Sequence, residues 1–299
     1  MIISFFNYLE FEKRYSSHTL DAYKSDIEQF TSFLQYNFQV DSLVDVTSAQ
    51  VRSWMVSLKE QNISNRSINR KLSALKTLFN FLRSRHGLAQ NPLRKIISPK
   101  TEKRLPLTVR KEHLERMFLI NNQNAGDTSY ILLRNDLVLD MLYSCGLRRS
   151  ELMQLSLKDL DLDRRLCRVL GKGKKERWVP LSAHLVDKIL TYLIFRHQTL
   201  IDLAKPEHFY LFMTDQCEPL YPKWVYNLVK KNLSLVSSVE RRSPHILRHS
   251  FATHLSDAGA DLHVIKTLLG HSSLAATQVY MHNSIEKLKK IYDQAHPKS

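Results

Sequence analysis

The chain is short of cysteine, of acidic residues and of long apolar runs, and each shortage closes a class of function. Cys145, Cys167 and Cys217 are the three cysteines in 299 residues, far apart and without a CxxC pair. That pattern indicates neither a disulfide framework nor a zinc knuckle, and it reads as reduced, structural thiols. No apolar run reaches the roughly 18 residues of a membrane-spanning helix. The N-terminal MIISFFNYLEFEKRY lacks the basic stretch and uninterrupted apolar core of a signal peptide, so a cytoplasmic address is expected. Neither a basic amphipathic helix nor a lipidation signal is evident, which leaves no membrane partner. Asp and Glu number 29 against 44 Lys and Arg, a formal charge of +15, while 43% hydrophobic residues supply core for two domains. Such an excess of positive charge favours a polyanionic partner, with nucleic acid the leading candidate.

Helical periods dominate the first third. Leu20, Tyr23, Ile27, Phe30 and Leu34 recur at alternating steps of three and four, which predicts one helix over Ser17 to Tyr36. A helix from about Ile2 to Arg14 precedes it. A third is expected from Ser48 through Val51, Trp54, Met55 and Leu58, and a fourth from Ser64 through Ile68, Leu72, Leu75, Phe79 and Leu82. On that fourth helix Arg66, Arg70 and Lys71 fall away from the apolar stripe, so they are candidate contacts to a phosphate backbone, or simply a solvated basic face. Residues 1–90 thus form a compact helical bundle. The proline-rich, basic stretch 91–107 reads as an extended linker, and a second domain is expected over 108–299.

The second domain opens with Thr108 as a helix cap, followed by a helix from about Tyr130 to Tyr143 that ends at Gly146. The period then turns extended at Leu166 to Leu170 and Arg177 to Leu181, separated by GKGKKE, which predicts a hairpin with Lys172 in its turn. GKG is no nucleotide loop, because Walker A needs the wider GxxxxGK[ST] spacing followed by a helix. Helices are expected from about Ser182 to Arg196 and Lys223 to Ser237, and the segment around Phe209 to Pro219 is irregular.

Ionisable side chains gather where these helices end. Arg148 follows the stop at Gly146, and Glu151 three residues on can orient its guanidinium. Ser243 and Pro244 start another helix, which places His245 and Arg248 on one face of its first turn, where free N–H groups favour an anion such as phosphate. The helix Leu262 to Leu269 stops at Gly270 and presents His271, and Tyr280 lies nine residues beyond as a possible nucleophile. A zinc site built on His245 and His249 is rejected: Ile246 stands where a zinc-protease motif needs Glu, and Arg248 would oppose a divalent cation.

With Arg148, Lys172, His245, Arg248, His271 and Tyr280 in that order, the chain resembles the tyrosine recombinase family, and within it the Xer site-specific recombinases. The likeness runs through SSHTLDAYKSDIEQF and SINRKLSALKTLFNFL, then CGLRRSEL, GKGKKERWVPL, HILRHSFATHL and LLGHSSLAATQVYMH. It implies a mainly α protein, with a four-helix, SAM-like core-binding domain and a mostly helical catalytic domain carrying a small antiparallel sheet, closing as a clamp on duplex DNA. It implies that Tyr280 attacks the scissile phosphate to give a 3′-phosphotyrosine, with no metal or nucleotide cofactor. Arg148 and Arg248 then grip the phosphate, Lys172 protonates the departing 5′-oxygen, His245 assists the tyrosine, His271 donates to the phosphate, and Glu151 supports. The implied assembly is a homo- or hetero-tetramer on DNA, with a second Xer-like recombinase or a DNA translocase as further partners. The expected task is resolving chromosome dimers at cell division; an integrase of a mobile element, a monomeric topoisomerase-like enzyme and a DNA-binding protein without chemistry are the alternatives. The tail residues Ile285, Leu288, Ile291 and Tyr292 share one apolar face suited to docking on a neighbour.

Overall fold

The computed structural model describes residues 1–101, 107–123, 129–171, 175–239 and 242–270. The chain divides into two compact units, 1–104 and 105–299. Both are mainly helical, with one small antiparallel sheet in the second.

The first unit contains α1 (Ile2–Asn7), α2 (Ser17–Phe38), α3 (Ser48–Glu60) and α4 (Asn65–His86). After α1 the chain continues as a π-helical turn over Tyr8–Glu12. A capping box starts α3: the Thr47 hydroxyl accepts from the Gln50 N–H at 3.3 Å, and the Gln50 side chain accepts from the Thr47 N–H at 2.8 Å. Ser48, the expected cap, instead donates to the Pro92 carbonyl. Helix α4 is covered on more than one side, because Ile68, Leu72, Leu75, Leu78, Phe79, Phe81 and Leu82 are all buried. Phe30 of α2 meets Trp54 of α3 with ring centroids 4.9 Å apart, a tilted pair in the middle of this core.

The burial of α4 corrects the reading of its basic face. Lys71 is a core-side residue whose ammonium donates to Asp26 at 2.9 Å and to Gln29 at 2.6 Å. Arg70 donates to both oxygens of the same carboxylate, although its side chain stays partly exposed, and Arg66 is exposed. The cause is Asp26, a fully buried acid on α2 that demands cationic donors from the facing helix. The start of the expected linker also differs from a free strand. Leu93 and Ile96 are buried in the first core, and the side chains of Asn65 and Asn69 donate to the carbonyls of Lys100 and Pro99.

In the second unit, α5 (Lys111–Gln123) begins three residues after Thr108, the expected cap, and in the segment before it the Val109 N–H is held by the Ser250 hydroxyl at 2.8 Å. Helix α6 (Tyr130–Ser144) is the axis of the core, buried continuously from Leu137 to Ser144. Around it lie α7 (Arg149–Gln154), α8 (Ala183–Asp202), α9 (Pro222–Val236), α10 (Pro244–Asp257) and α11 (Leu262–Leu269). Strands β1 (Leu160–Asp161), β2 (Leu166–Leu170) and β3 (Glu176–Pro180) pair in chain order, with Val169 opposite Arg177 and Cys167 opposite Val179. The irregular stretch after α8 is held by buried arginines: Arg196 donates to the carbonyls of His208 and Tyr210, and Arg134 to that of Met213. All three cysteines are buried and free.

The Asp26 cluster generates a stability prediction. Asp26→Ala leaves the Lys71 ammonium buried without its counter-charge and is expected to cost about 3–5 kcal/mol in urea denaturation of the full chain. Replacing the pair together, as Asp26→Leu with Lys71→Met, is expected to recover most of that loss; recovery of none would show that the cluster does more than neutralise itself.

Candidate active site

The site is assembled where α6, α10 and α11 end or begin. At the end of α6 the chain turns at Gly146, with φ +57°. A Cβ there would come within 2.5 Å of the Phe251 ring of α10, so both the backbone and the space require glycine. This close approach lets the Arg248 guanidinium, from the second turn of α10, donate to the Gly146 carbonyl at 2.6 Å. Two residues past the turn, Arg148 occupies the N-cap position of α7.

Glu151, in the first turn of α7, sits at the centre with a side chain only 3% exposed. Its Oε1 accepts from Arg148 Nη1 at 2.6 Å and from Arg177 Nη1 at 2.9 Å. Its Oε2 accepts from the Arg148 backbone N–H and from Arg177 Nη2, both at 2.8 Å, and Arg248 Nη1 stands 3.9 Å away. These donors outweigh burial and hold the carboxyl down at about 2, so it is ionised at any physiological pH.

The same three arginines close the C-terminus of α11. Arg177 Nε donates to the Leu268 carbonyl at 2.7 Å, Arg248 Nη2 donates to that of Leu269, and Arg148 Nη2 to that of Gly270 at 3.2 Å. Three consecutive carbonyls at the negative end of the helix are thus each met by a different guanidinium. Gly270, with φ +62°, completes the stop. Burial and the neighbouring Arg148 bring Arg248 down to about 10, against the pull of Glu151, and it remains a cation at neutral pH.

His245 lies exposed in the first turn of α10. Partial desolvation, then the charges of His249, Arg149, Arg248 and Arg148, lower its pKa below the ordinary imidazole value, so the ring is neutral near pH 7. A neutral imidazole in the field of these guanidinium groups can take a proton while they bind an anion. The structure therefore brings together Arg148, Glu151, His245 and Arg248 of the residues singled out from sequence. Lys172, His271, Tyr280 and the tail from Ile285 lie outside the described residues. Arg177 was missed, although the strand period carried a signal: it shares a face with the fully buried Val179, and a cation on a core face needs a buried partner. Among the described residues no group of His, Cys, Asp or Glu is placed to hold a metal ion.

Glu151→Gln is expected to destabilise the chain by about 3 kcal/mol at pH 7, because three clustered cations lose their counter-charge. The native carboxyl is depressed to about 2, so its contribution is full above the unfolded value and declines as pH falls from about 5 toward 2. Denaturation curves should therefore show the gap between wild type and variant narrowing between pH 6 and pH 3; a constant gap would contradict an ionised Glu151.

Residues 108–287 match the Phage integrase family and residues 2–86 match the Phage integrase N-terminal SAM-like domain. The chain is 38% identical to the tyrosine recombinase XerC of Chlorobaculum parvum, over 98% of this chain and 93% of that protein. It is 34% identical to the tyrosine recombinase XerC of Bacillus subtilis, over 99% and 95%. Its fold is similar to that of the XerH site-specific recombinase in a post-cleavage complex with a palindromic difH substrate, with a TM-score of 0.70, 24% identity, and coverage of 91% of this chain and 78% of that one. The chain belongs to the phage integrase family, the tyrosine recombinases.

Proposed function

We propose that this chain is a site-specific recombinase that cuts and rejoins duplex DNA through a 3′-phosphotyrosine, with Tyr280 as nucleophile. The observation that carries the reading is the pair of guanidinium groups, Arg148 and Arg248, held against one ionised carboxylate beside a neutral His245. In the reaction the Tyr280 oxygen bonds to the scissile phosphorus and the bond to the 5′-oxygen breaks. Arg148 and Arg248 offset the charge of the five-coordinate transition state through donors that need no rearrangement. His245 takes up the phenolic proton, Lys172 gives one to the departing 5′-oxygen, and His271 donates to the phosphate. The energy of the phosphodiester is kept in the covalent bond, and the second strand's 5′-hydroxyl reverses the step.

The cellular task in this reading is resolution of chromosome dimers at division, as the XerC naming of its relatives suggests. The working form is a cytoplasmic tetramer on two duplexes, of one chain or of two related recombinases, with the face formed by Ile285, Leu288, Ile291 and Tyr292 linking neighbours and a DNA translocase as activator. Among the described residues no helix is long and apolar enough to cross a membrane. Residues 1–90 are a DNA-binding domain and 108–299 the catalytic domain; Arg66 and the outward part of Arg70 meet phosphates, while Lys71 shares the Asp26 carboxylate with Arg70.

Two variants test the chemistry on a nicked suicide duplex carrying the recombination site. Tyr280→Phe is expected to bind DNA with affinity near that of wild type and form no covalent adduct, since the phenolic oxygen alone is lost. An adduct from the Phe protein would show that another residue attacks. Lys172→Ala is expected to cleave an ordinary duplex about 10²–10⁴-fold more slowly and to recover on a duplex with a 5′-phosphorothiolate, whose leaving group needs no proton. Failure to recover would remove Lys172 from the role of general acid.

A further inference from the structure

Arg177 does more in this site than an ion pair at the edge of a sheet would do. Its side chain, 10% exposed, spends donors in two directions: a two-pronged grip on Glu151 and a single bond to the Leu268 carbonyl. The grip takes both carboxylate oxygens and so fixes the plane of the group. The remaining lobe of each oxygen is then aimed at Arg148, through the side chain at Oε1 and the backbone N–H at Oε2. Without the grip, the carboxylate would keep its charge and lose two of its four donors. Coulomb attraction would then draw it onto Arg148 and Arg248, and the guanidinium charge meant for an anion would be spent internally.

The backbone around Arg177 is shaped to its side chain. A Cβ at Gly270 would stand 3.1 Å from Arg177 Cδ and Nη1, and one at Gly171 would stand 3.7 Å from Nη1 and 3.9 Å from Glu151 Oε1. Gly171 immediately precedes Lys172 in the chain, and Gly270 immediately precedes His271. The segment that begins with His271 therefore leaves from a point in close approach to this guanidinium, and the one that begins with Lys172 from a point within ordinary contact of it. A lysine has neither the planar fork nor the third donor in the required direction.

We propose that Arg177 is a positioning residue of the phosphate-binding site, clamping the Glu151 carboxylate to the last turn of α11 and so setting where the Arg148 and Arg248 guanidinium groups point. The proposal rests on the recombinase reading above. It assigns Arg177 no contact with DNA, so its loss acts on the rate of cleavage and not on binding. Glu151 and Arg177 form one unit in it, and their substitutions are not additive.

The test uses the full-length protein and a nicked suicide duplex carrying the recombination site, with affinity and the first-order rate of adduct formation at saturating DNA measured separately. Wild type must first form the adduct; if it does not, the recombinase reading fails and this proposal with it. Given that adduct, Arg177→Met is expected to bind DNA within about 3-fold of wild type and to cleave about 10- to 100-fold more slowly, the scale of misplaced catalytic groups. Arg177→Lys should fall between them. The double variant Arg177→Met, Glu151→Gln should be no slower than the slower single variant, since the two residues act as a unit. A cleavage rate for Arg177→Met within about 2-fold of wild type, a loss confined to affinity, or multiplicative losses in the double variant would each overturn the proposal. If Arg177→Met does not fold, Arg177→Lys decides by the same rate and affinity criteria. If neither folds, Arg177 is a stability residue and the proposal is wrong.

Discussion

One buried negative charge organises the catalytic half of this protein. Glu151 gathers cations from α7, α10 and β3, three elements far apart in sequence, and those cations in turn hold the end of a fourth element, α11. A carboxylate so enclosed is unfavourable unless its oxygens are fully used, and here four donors lie within 2.6–2.9 Å of them. One anion among three guanidinium groups leaves the cluster with excess positive charge. That excess is held in fixed positions before any ligand arrives, which is the condition under which dipoles and charges stabilise a transition state most effectively.

The first unit applies the same physics to a different end. Asp26 is as deeply buried as Glu151 and recruits two cations, Arg70 and Lys71, from the facing helix of its own unit. Its effect is to fix α2 against α4 at one register. Buried acids in this chain therefore serve as points of alignment between its elements, and in the second unit the cations so aligned are those of the proposed phosphate site. Arginine is used in the same manner around the irregular stretch after α8, where Arg134 and Arg196 supply the backbone with donors that no regular element provides.

What could be read from the sequence follows from the range of the interactions involved. Helices with a single apolar stripe were legible, and α11 ends where Leu269 and Gly270 predict because capping is local. Local spacing could place Arg148, Glu151 and His245 together with Arg248, because the first three lie within a turn of a helix start and Arg248 in the turn that follows. Lys71 was misplaced although it stands three residues after Ile68 and four before Leu75, on the buried side of α4; what the spacing does not show is the acid that holds a lysine there, Asp26, 45 positions away. Thr108 is not the cap, because α5 starts only at Lys111, and the stretch before it is tied instead to another helix through the Val109 N–H and the Ser250 hydroxyl. Arg177 escaped notice although it shares a strand face with the buried Val179, because its partner Glu151 lies 26 positions away and strand spacing names no partner.

Gly270 illustrates how a site of this kind restrains its own history. The left-handed backbone there disfavours any L-side chain, and the Arg177 guanidinium occupies the space a Cβ would need. Every single-base change in a glycine codon that alters the amino acid introduces a Cβ, so position 270 has no small step available to it. At the point where α11 ends, a side chain would meet two separate penalties, the positive φ and the crowding against Arg177, and removing the arginine would relieve only the second.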